Sequence, residues 1–213
     1  MLKAILFDFD GTLAETNTLI FKCMEKTFLE LFGKCTKEQI LDCIGPPLLV
    51  KGKELYPENP EHFVNTYRKY QLKYHDDMIT AYPNIIDMLQ QLKNKNLKLA
   101  IVTSKKKDMF LRGLRKLEME KYFEVFVAEE DVKNHKPHPE PINLALEKLN
   151  ILPSEALMVG DNWQDVVSAQ KALVKCAVVG WSIKGLDFLK EYNPDFVMIE
   201  AFDILNIIEK FPK

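Results

Sequence analysis

Six short apolar runs punctuate the chain: Leu2–Phe7, Leu97–Val102, Val125–Ala128, Ala156–Val159, Cys176–Val179 and Phe196–Ile199. Apolar residues fill successive positions in these runs instead of alternate ones, the pattern of strands buried on both faces. Between them the apolar positions recur at helical spacing, which predicts helices over Pro83–Lys95, Asp108–Leu117, Pro139–Leu149 and Asn162–Ala172. Pro83, Pro139 and Pro153 stand at predicted helix starts, where a missing N–H does no harm. Strand–helix alternation of this kind predicts an α/β fold, a doubly wound parallel sheet with a Rossmann-like core.

One interval breaks the rhythm. About 90 residues separate the first run from the second, whereas a parallel crossover needs only about a dozen. The helix over Pro83–Lys95 suffices for that crossover, so 16–80 is surplus and reads as helices: Thr18–Phe32, Thr36–Ile44, a stretch after Gly45-Pro46-Pro47, and Pro60–Tyr74. The expected organisation is a core domain made of 1–15 and 81–213, with 16–80 as a helical cap over the carboxyl edge of the strands.

Composition narrows the partners. Of 213 residues 47% are apolar, and 29 Lys+Arg face 31 Asp+Glu for a net charge of −2. This is the balance of a folded globular chain and argues against nucleic acid or an anionic membrane as partner. The stretch Lys93–Lys116 is locally basic, but it lacks interleaved aromatics and reads mostly as a solvated helix face. No apolar run reaches the roughly 18 residues of a membrane helix, and acids arrive at Asp8 and Asp10, too early for a signal-peptide core. Cys23, Cys35, Cys43 and Cys176 form no CxxC pair, which suggests reduced thiols in a cytoplasmic protein.

In an open α/β sheet the ligand sits beyond the carboxyl ends of the strands. The polar residues expected there are Asp8-Phe9-Asp10-Gly11-Thr12, Thr103-Ser104-Lys105, His135-Lys136-Pro137 and Gly160-Asp161-Asn162, with Asp165 one turn on. Carboxylates crowded together repel unless a cation sits among them, and an all-oxygen set suits Mg2+. A hydroxyl, an ammonium and backbone N–H groups beside such a metal suit a phosphoryl group. Asp8 and Asp10, two apart on extended chain, project to one side; one can attack phosphorus while the other protonates the leaving oxygen. Taken singly, the acids read equally well as turn formers or an N-cap pair, Lys136 as a surface lysine, and Trp163 and Trp181 as packing residues. His135 and His138, with Pro137 between them, read as a plain loop.

The joint pattern resembles the haloacid dehalogenase-like phosphatases: DFDGTL at 8–13, a strand ending in Thr103, Lys136-Pro137, and GDNWQD at 160–165, in that order and spacing. Ile44-Gly45-Pro46-Pro47-Leu48, VTSK at 102–105, KPHPEP at 136–141 and EALMVGDN at 155–162 are similar to the bacterial pyrophosphatase and phosphoglycolate phosphatase group, and the helical insert resembles a C1-type cap. The resemblance implies a Mg2+-dependent phosphohydrolase acting through an aspartyl-phosphate on a small phosphorylated metabolite, inorganic pyrophosphate or 2-phosphoglycolate. It implies Asp8 as nucleophile, Asp10 as general acid/base, Thr103 as phosphate-binding hydroxyl and Lys136 as the balancing ammonium. Phe9, Gly11, Thr12 and Ser104 would complete the phosphate site, with Gly45 and Pro46 reaching it from the cap. Asp161 would bind Mg2+ together with the Asp8 carboxylate and the Asp10 carbonyl, and Asn162 and Asp165 would stand behind them. Two positions depart from the family pattern: Glu15 replaces Asp or Asn, and Leu173 replaces a Gly, so the motif-four helix is expected to end without a left-handed residue. Alternatives are a sugar-phosphate mutase of the same superfamily and, from another class, a phospho-acceptor signalling module. A monomer or a homodimer is expected.

Overall fold

The computed structural model describes residues 1–212, which form two compact units: Met1–Glu15 joined with the chain from Ala81 onward, and Thr16–Thr80. In the first unit, β1 (Ala4–Phe7), β4 (Lys98–Val102), β5 (Val125–Val127), β6 (Ala156–Gly160), β7 (Lys175–Val179) and β8 (Phe196–Met198) build one sheet. Its order is β5-β4-β1-β6-β7-β8, and every pairing is parallel. Both faces are covered. Ala4 and Leu6 join Ile142, Ala145, Leu146, Val166 and Ala169 in one apolar cluster, which places α7 (Glu140–Leu149) and α8 (Trp163–Lys171) on that side. Phe7 points the other way and meets Phe123 edge-on with ring centroids 6.3 Å apart. The unit also holds α5 (Ile85–Asn94), α6 (Lys107–Lys116), α9 (Leu186–Lys190) and α10 (Asp203–Glu209). A short ribbon pairs β2 (Ala14–Glu15) with β3 (Thr80–Ala81).

Local details differ from the sequence reading. Helix α5 starts at Ile85 after Asn84, whose φ is +62°, so Pro83 precedes the helix instead of opening it. Pro153 opens a 3-10 turn, Pro153–Glu155. The expectation for the end of α8 is overturned: Leu173 itself adopts φ +59° and lies 81% exposed. Its N–H donates to the Gln170 carbonyl and the Val174 N–H to the Ala169 carbonyl, the double bond of a helix end that glycine usually makes. Exposure spares the leucine side chain any clash with neighbouring elements, and the two backbone bonds offset the roughly 1–2 kcal/mol that a Cβ costs in this conformation.

The second unit packs α1 (Asn17–Phe32), α2 (Lys37–Asp42), α3 (Leu48–Leu55) and α4 (Pro60–Met78) around Leu19, Cys23, Met24, Phe28, Ile40, Phe63 and Tyr67. Leu19, Cys23 and Met24 recur at helical spacing on α1, and Phe28 meets Phe63 of α4 edge-on at 6.1 Å. Helix α2 begins with a reciprocal cap, in which the Thr36 N–H donates to Gln39 Oε1 and the Gln39 N–H to Thr36 Oγ1. Gly33, at φ +71°, closes α1 with its N–H on the Leu29 carbonyl. Among the described residues no helix is long and apolar enough to cross a membrane.

Candidate active site

Strand order fixes where the chemistry collects. The chain runs from β1 to β4 on one side of the sheet, and from β6 to β7 on the other. Neighbouring strands β1 and β6 therefore flank the switch point, where crossovers diverge and leave a crevice at the carboxyl ends. Phe7 pairs with Val159, and the Asp8 N–H donates to the Val159 carbonyl at 2.9 Å. Asp8 and Asp161 are thus the residues delivered to that crevice.

Carboxylate oxygens of Asp8, Asp161 and Asp165 lie within 4.8 Å of one another. Lys136 Nζ is 2.6 Å from Asp165 Oδ1 and 3.3 Å from Asp8 Oδ1, and it donates to the Val102 carbonyl at 3.0 Å. Asp165 is anchored on its other oxygen by the Asn162 N–H, while the Asn162 side chain accepts from the Trp163 N–H and starts α8. Glycine is required at two neighbouring positions. A Cβ on Gly11, itself at φ +75°, would come within 2.2 Å of Asp161 Oδ2, and one on Gly160 within 2.3 Å of the Asp165 carboxylate.

Two buried carboxylates, Asp161 and Asp165, and the half-buried Asp8 around one buried ammonium make an unbalanced cluster. Burial, followed by the charges of Asp165 and Asp10, raises the Asp8 carboxyl to about 7 despite Lys136. Burial and the charges of Asp8 and Asp165 hold Asp161 well above the usual carboxylate range. Burial alone would lower the Lys136 pKa, but Asp165 and Asp8 reverse this and raise it. A set of hard oxygen donors that resist ionising together is what a divalent cation relieves, so the residues fit Mg2+.

Asp10 faces a different partner. Its Oδ1 is 2.6 Å from Lys105 Nζ, and that ammonium lies 5.4 Å from the centre of the Phe9 ring. Thr103 is buried and its Oγ1 accepts the Lys105 N–H at 3.2 Å; Ser104 is half-buried. The Phe9 side chain is wholly buried against Phe110, and its N–H donates to Asp8 Oδ1. The Thr12 hydroxyl is buried with no hydrogen-bond partner among the described residues. Two further groups brace the loops from beyond β7: Trp181 Nε1–H donates to the Thr12 carbonyl at 3.2 Å, and the Ser182 hydroxyl to the Asp161 carbonyl at 2.6 Å.

Trp181 and Ser182 lie outside the sequence reading of the site, and Lys105, placed at the sheet's carboxyl edge by that reading, is given no role in it. Lys105 was masked by its basic neighbours, although its place directly after Thr103-Ser104 at a strand's carboxyl end was the available signal. Trp181 does pack, against Tyr82, while its indole N–H holds a loop. Gly45 and Pro46 belong to the helical unit, just before α3. Lys51 of that unit is committed to Asp42 at 2.5 Å and Glu54 at 3.0 Å. His138 Nδ1 accepts the Glu140 N–H, and among the described residues neither His135 nor His138 joins a three-donor metal group.

The sequence matches the haloacid dehalogenase-like hydrolase family model over residues 5–179. It is 39% identical over 207 residues to pyrophosphatase PpaX of Oceanobacillus iheyensis, covering 97% of each chain. It is 41% identical over 208 residues to pyrophosphatase PpaX of Bacillus pumilus, covering 97% of this chain and 96% of that one. A crystal structure from Lactobacillus plantarum assigned as a phosphoglycolate phosphatase superposes with a TM-score of 0.87 at 27% identity, over 97% of this chain and all of that one.

Proposed function

Given that the chain belongs to the haloacid dehalogenase-like hydrolase family and is one of its phosphohydrolases, we propose that it cleaves a small phosphorylated metabolite in two steps through Asp8. The best candidates are inorganic pyrophosphate, after the PpaX relatives, and 2-phosphoglycolate, after the Lactobacillus plantarum structure. The observation that carries the reading is the Asp8 carboxylate held against Lys136 and beside Asp161 at the β1/β6 switch point.

Asp8, Asp161 and the Asp10 main-chain carbonyl would hold Mg2+, with Asp165 behind them. When bound, the ion would neutralise the clustered carboxylates and draw charge from the phosphoryl oxygens. Everything else falls to the chain itself. An Asp8 oxygen forms a bond to phosphorus as the bond to the leaving oxygen breaks; the leaving oxygen keeps the electron pair and takes a proton from Asp10. Asp10 then accepts a proton from water as the water oxygen attacks phosphorus and the Asp8–phosphorus bond breaks, restoring the carboxylate. The net change is addition of one water across one P–O bond. Lys136 offsets the charge on Asp8 and the phosphoryl group, and the Thr103 hydroxyl can donate to a phosphoryl oxygen. The four cysteines, kept as thiols, support a cytoplasmic setting.

The test is a phosphate-release panel with Mg2+ over pyrophosphate, 2-phosphoglycolate, acetyl phosphate, sugar phosphates and nucleotides. Pyrophosphate or 2-phosphoglycolate should give the highest kcat/KM, and Asp8→Asn should abolish turnover; wild-type activity in that variant would refute the covalent scheme. Asp10→Asn should cost about 10²–10⁴-fold on an alkyl phosphate and less on pyrophosphate, whose leaving group needs less protonation. An isomerised sugar phosphate with no phosphate release would point to the mutase instead.

A further inference from the structure

We propose that Lys105 selects the substrate by its leaving group: its ammonium binds negative charge on the departing half and so favours a diphosphate or a phosphorylated carboxylate over a neutral alkyl phosphate. This rests on the two-step phosphohydrolase reading above and deepens it.

The site contains two lysines, each on a different acid of the Asp8–Asp10 pair. Lys136 is committed to Asp165 and Asp8, on the nucleophile's side. Lys105 lies 2.6 Å from Asp10 Oδ1, and its side chain is only 8% exposed. In the reading above, Asp10 must touch the oxygen that departs. A cation one hydrogen bond from Asp10 therefore lies beside the leaving group, not beside the transferred phosphoryl. An ammonium has three donors and Asp10 engages one of them, so Lys105 can keep that bond while donating to an anionic ligand. Its backbone is tied on both sides, the N–H to Thr103 Oγ1 and the carbonyl to the Glu129 N–H at 3.1 Å. The ammonium is presented from the end of β4, not from a loose chain. A second phosphate or a carboxylate offers charged acceptors at that place; an ethyl group offers none. Lys105 makes and breaks no covalent bond in this scheme: it donates hydrogen bonds to the group that leaves.

The experiment compares kcat/KM, with Mg2+, for pyrophosphate, 2-phosphoglycolate and ethyl phosphate in wild type, Lys105→Met and Lys105→Arg. Lys105→Met should lose about 10–100-fold more on the two anionic leaving groups than on ethyl phosphate, the range of a lost charge-assisted hydrogen bond. Imidodiphosphate, a non-hydrolysable diphosphate, should inhibit it at least about 10-fold more weakly for the same reason. Lys105→Arg should keep most of the wild-type preference. Should thermal melting show Lys105→Met to be unfolded, Lys105→Gln takes its place with the same expected split. An equal loss on all three substrates would overturn the inference, leaving Lys105 as a residue that merely positions Asp10, while the phosphohydrolase reading stood. Absence of turnover of any phosphate by the wild type would remove that reading and this inference with it.

Discussion

Each unit of the protein buries a lysine between two acids, and the two triads are built to opposite ends. Lys51 in the helical unit meets Asp42 and Glu54, whose side chains remain 68% and 55% exposed. Burial lowers the Lys51 pKa, but its two bonded carboxylates outweigh this and raise it. Water screens both acids, so the triad behaves as a surface ion pair with a well-packed stem. Lys136 meets Asp165, whose side chain is 1% exposed, and Asp8, at 14%, and Asp161 adds a further buried carboxylate that forms no ion pair among the described residues. A surplus of negative charge that a bound cation can balance is poor economy for stability and good preparation for chemistry.

The sharpest way to break this contrast is to remove each ammonium in turn. Lys136→Met leaves Asp165 and Asp8 buried without their counter-charge; it should lower kcat at least about 10²–10³-fold and destabilise the fold by about 3–5 kcal/mol in urea unfolding. Asp161→Asn acts on the surplus instead. It should also abolish or nearly abolish turnover, yet it should raise the melting temperature in excess chelator by about 2–4 °C, the size of a 1 kcal/mol gain. Mg2+ at about 100 times its Kd should stabilise the wild type by roughly 2.7 kcal/mol and leave Asp161→Asn nearly unmoved.

Acidity supplies a third handle. Without metal, Asp8 titrates at about 7 in the folded protein against 3.8 for an ordinary aspartate. The folded state thus holds a proton that the unfolded chain releases, a stabilisation complete below pH ~4 and lost as pH rises through about 7. Melting temperatures in chelator should fall between about pH 4 and 7 and level off above, and saturating Mg2+ should flatten the slope. The smallest effect closes the comparison: Lys51→Met should change stability by less than about 1 kcal/mol. A loss as large as that of Lys136→Met would show that exposure of the partners is not what separates the two triads.

The sheet was largely legible because each strand is a run of apolar residues that no other element explains: Ala4–Phe7 is buried at every position. Helices α9 and α10, of five and seven residues, are too short for helical spacing to register. Leu173 misled for a related reason: a left-handed residue at a helix end is set by two backbone hydrogen bonds, which residue type only biases. Within the site, residues directly after strands were the readable ones, since a strand end fixes where Asp8 and Asp161 emerge. The contacts of Lys105 and Trp181 were not. Whether a loop lysine turns toward Asp10 or toward water depends on the path of Thr103 to Lys105, and an indole in a packed cluster looks the same with or without a carbonyl to hold.

The pairing of β1 with β6 has a temporal side. Asp161 follows Asp8 by 153 positions, yet the two are brought together by adjacent strands. During synthesis Asp8 emerges first and its strand waits for β6 before the neighbouring acid exists. A nascent or truncated chain ending before residue 161 thus carries Asp8 without Asp161 and Asp165 beside it, and the acid cluster is assembled only when the centre of the sheet closes.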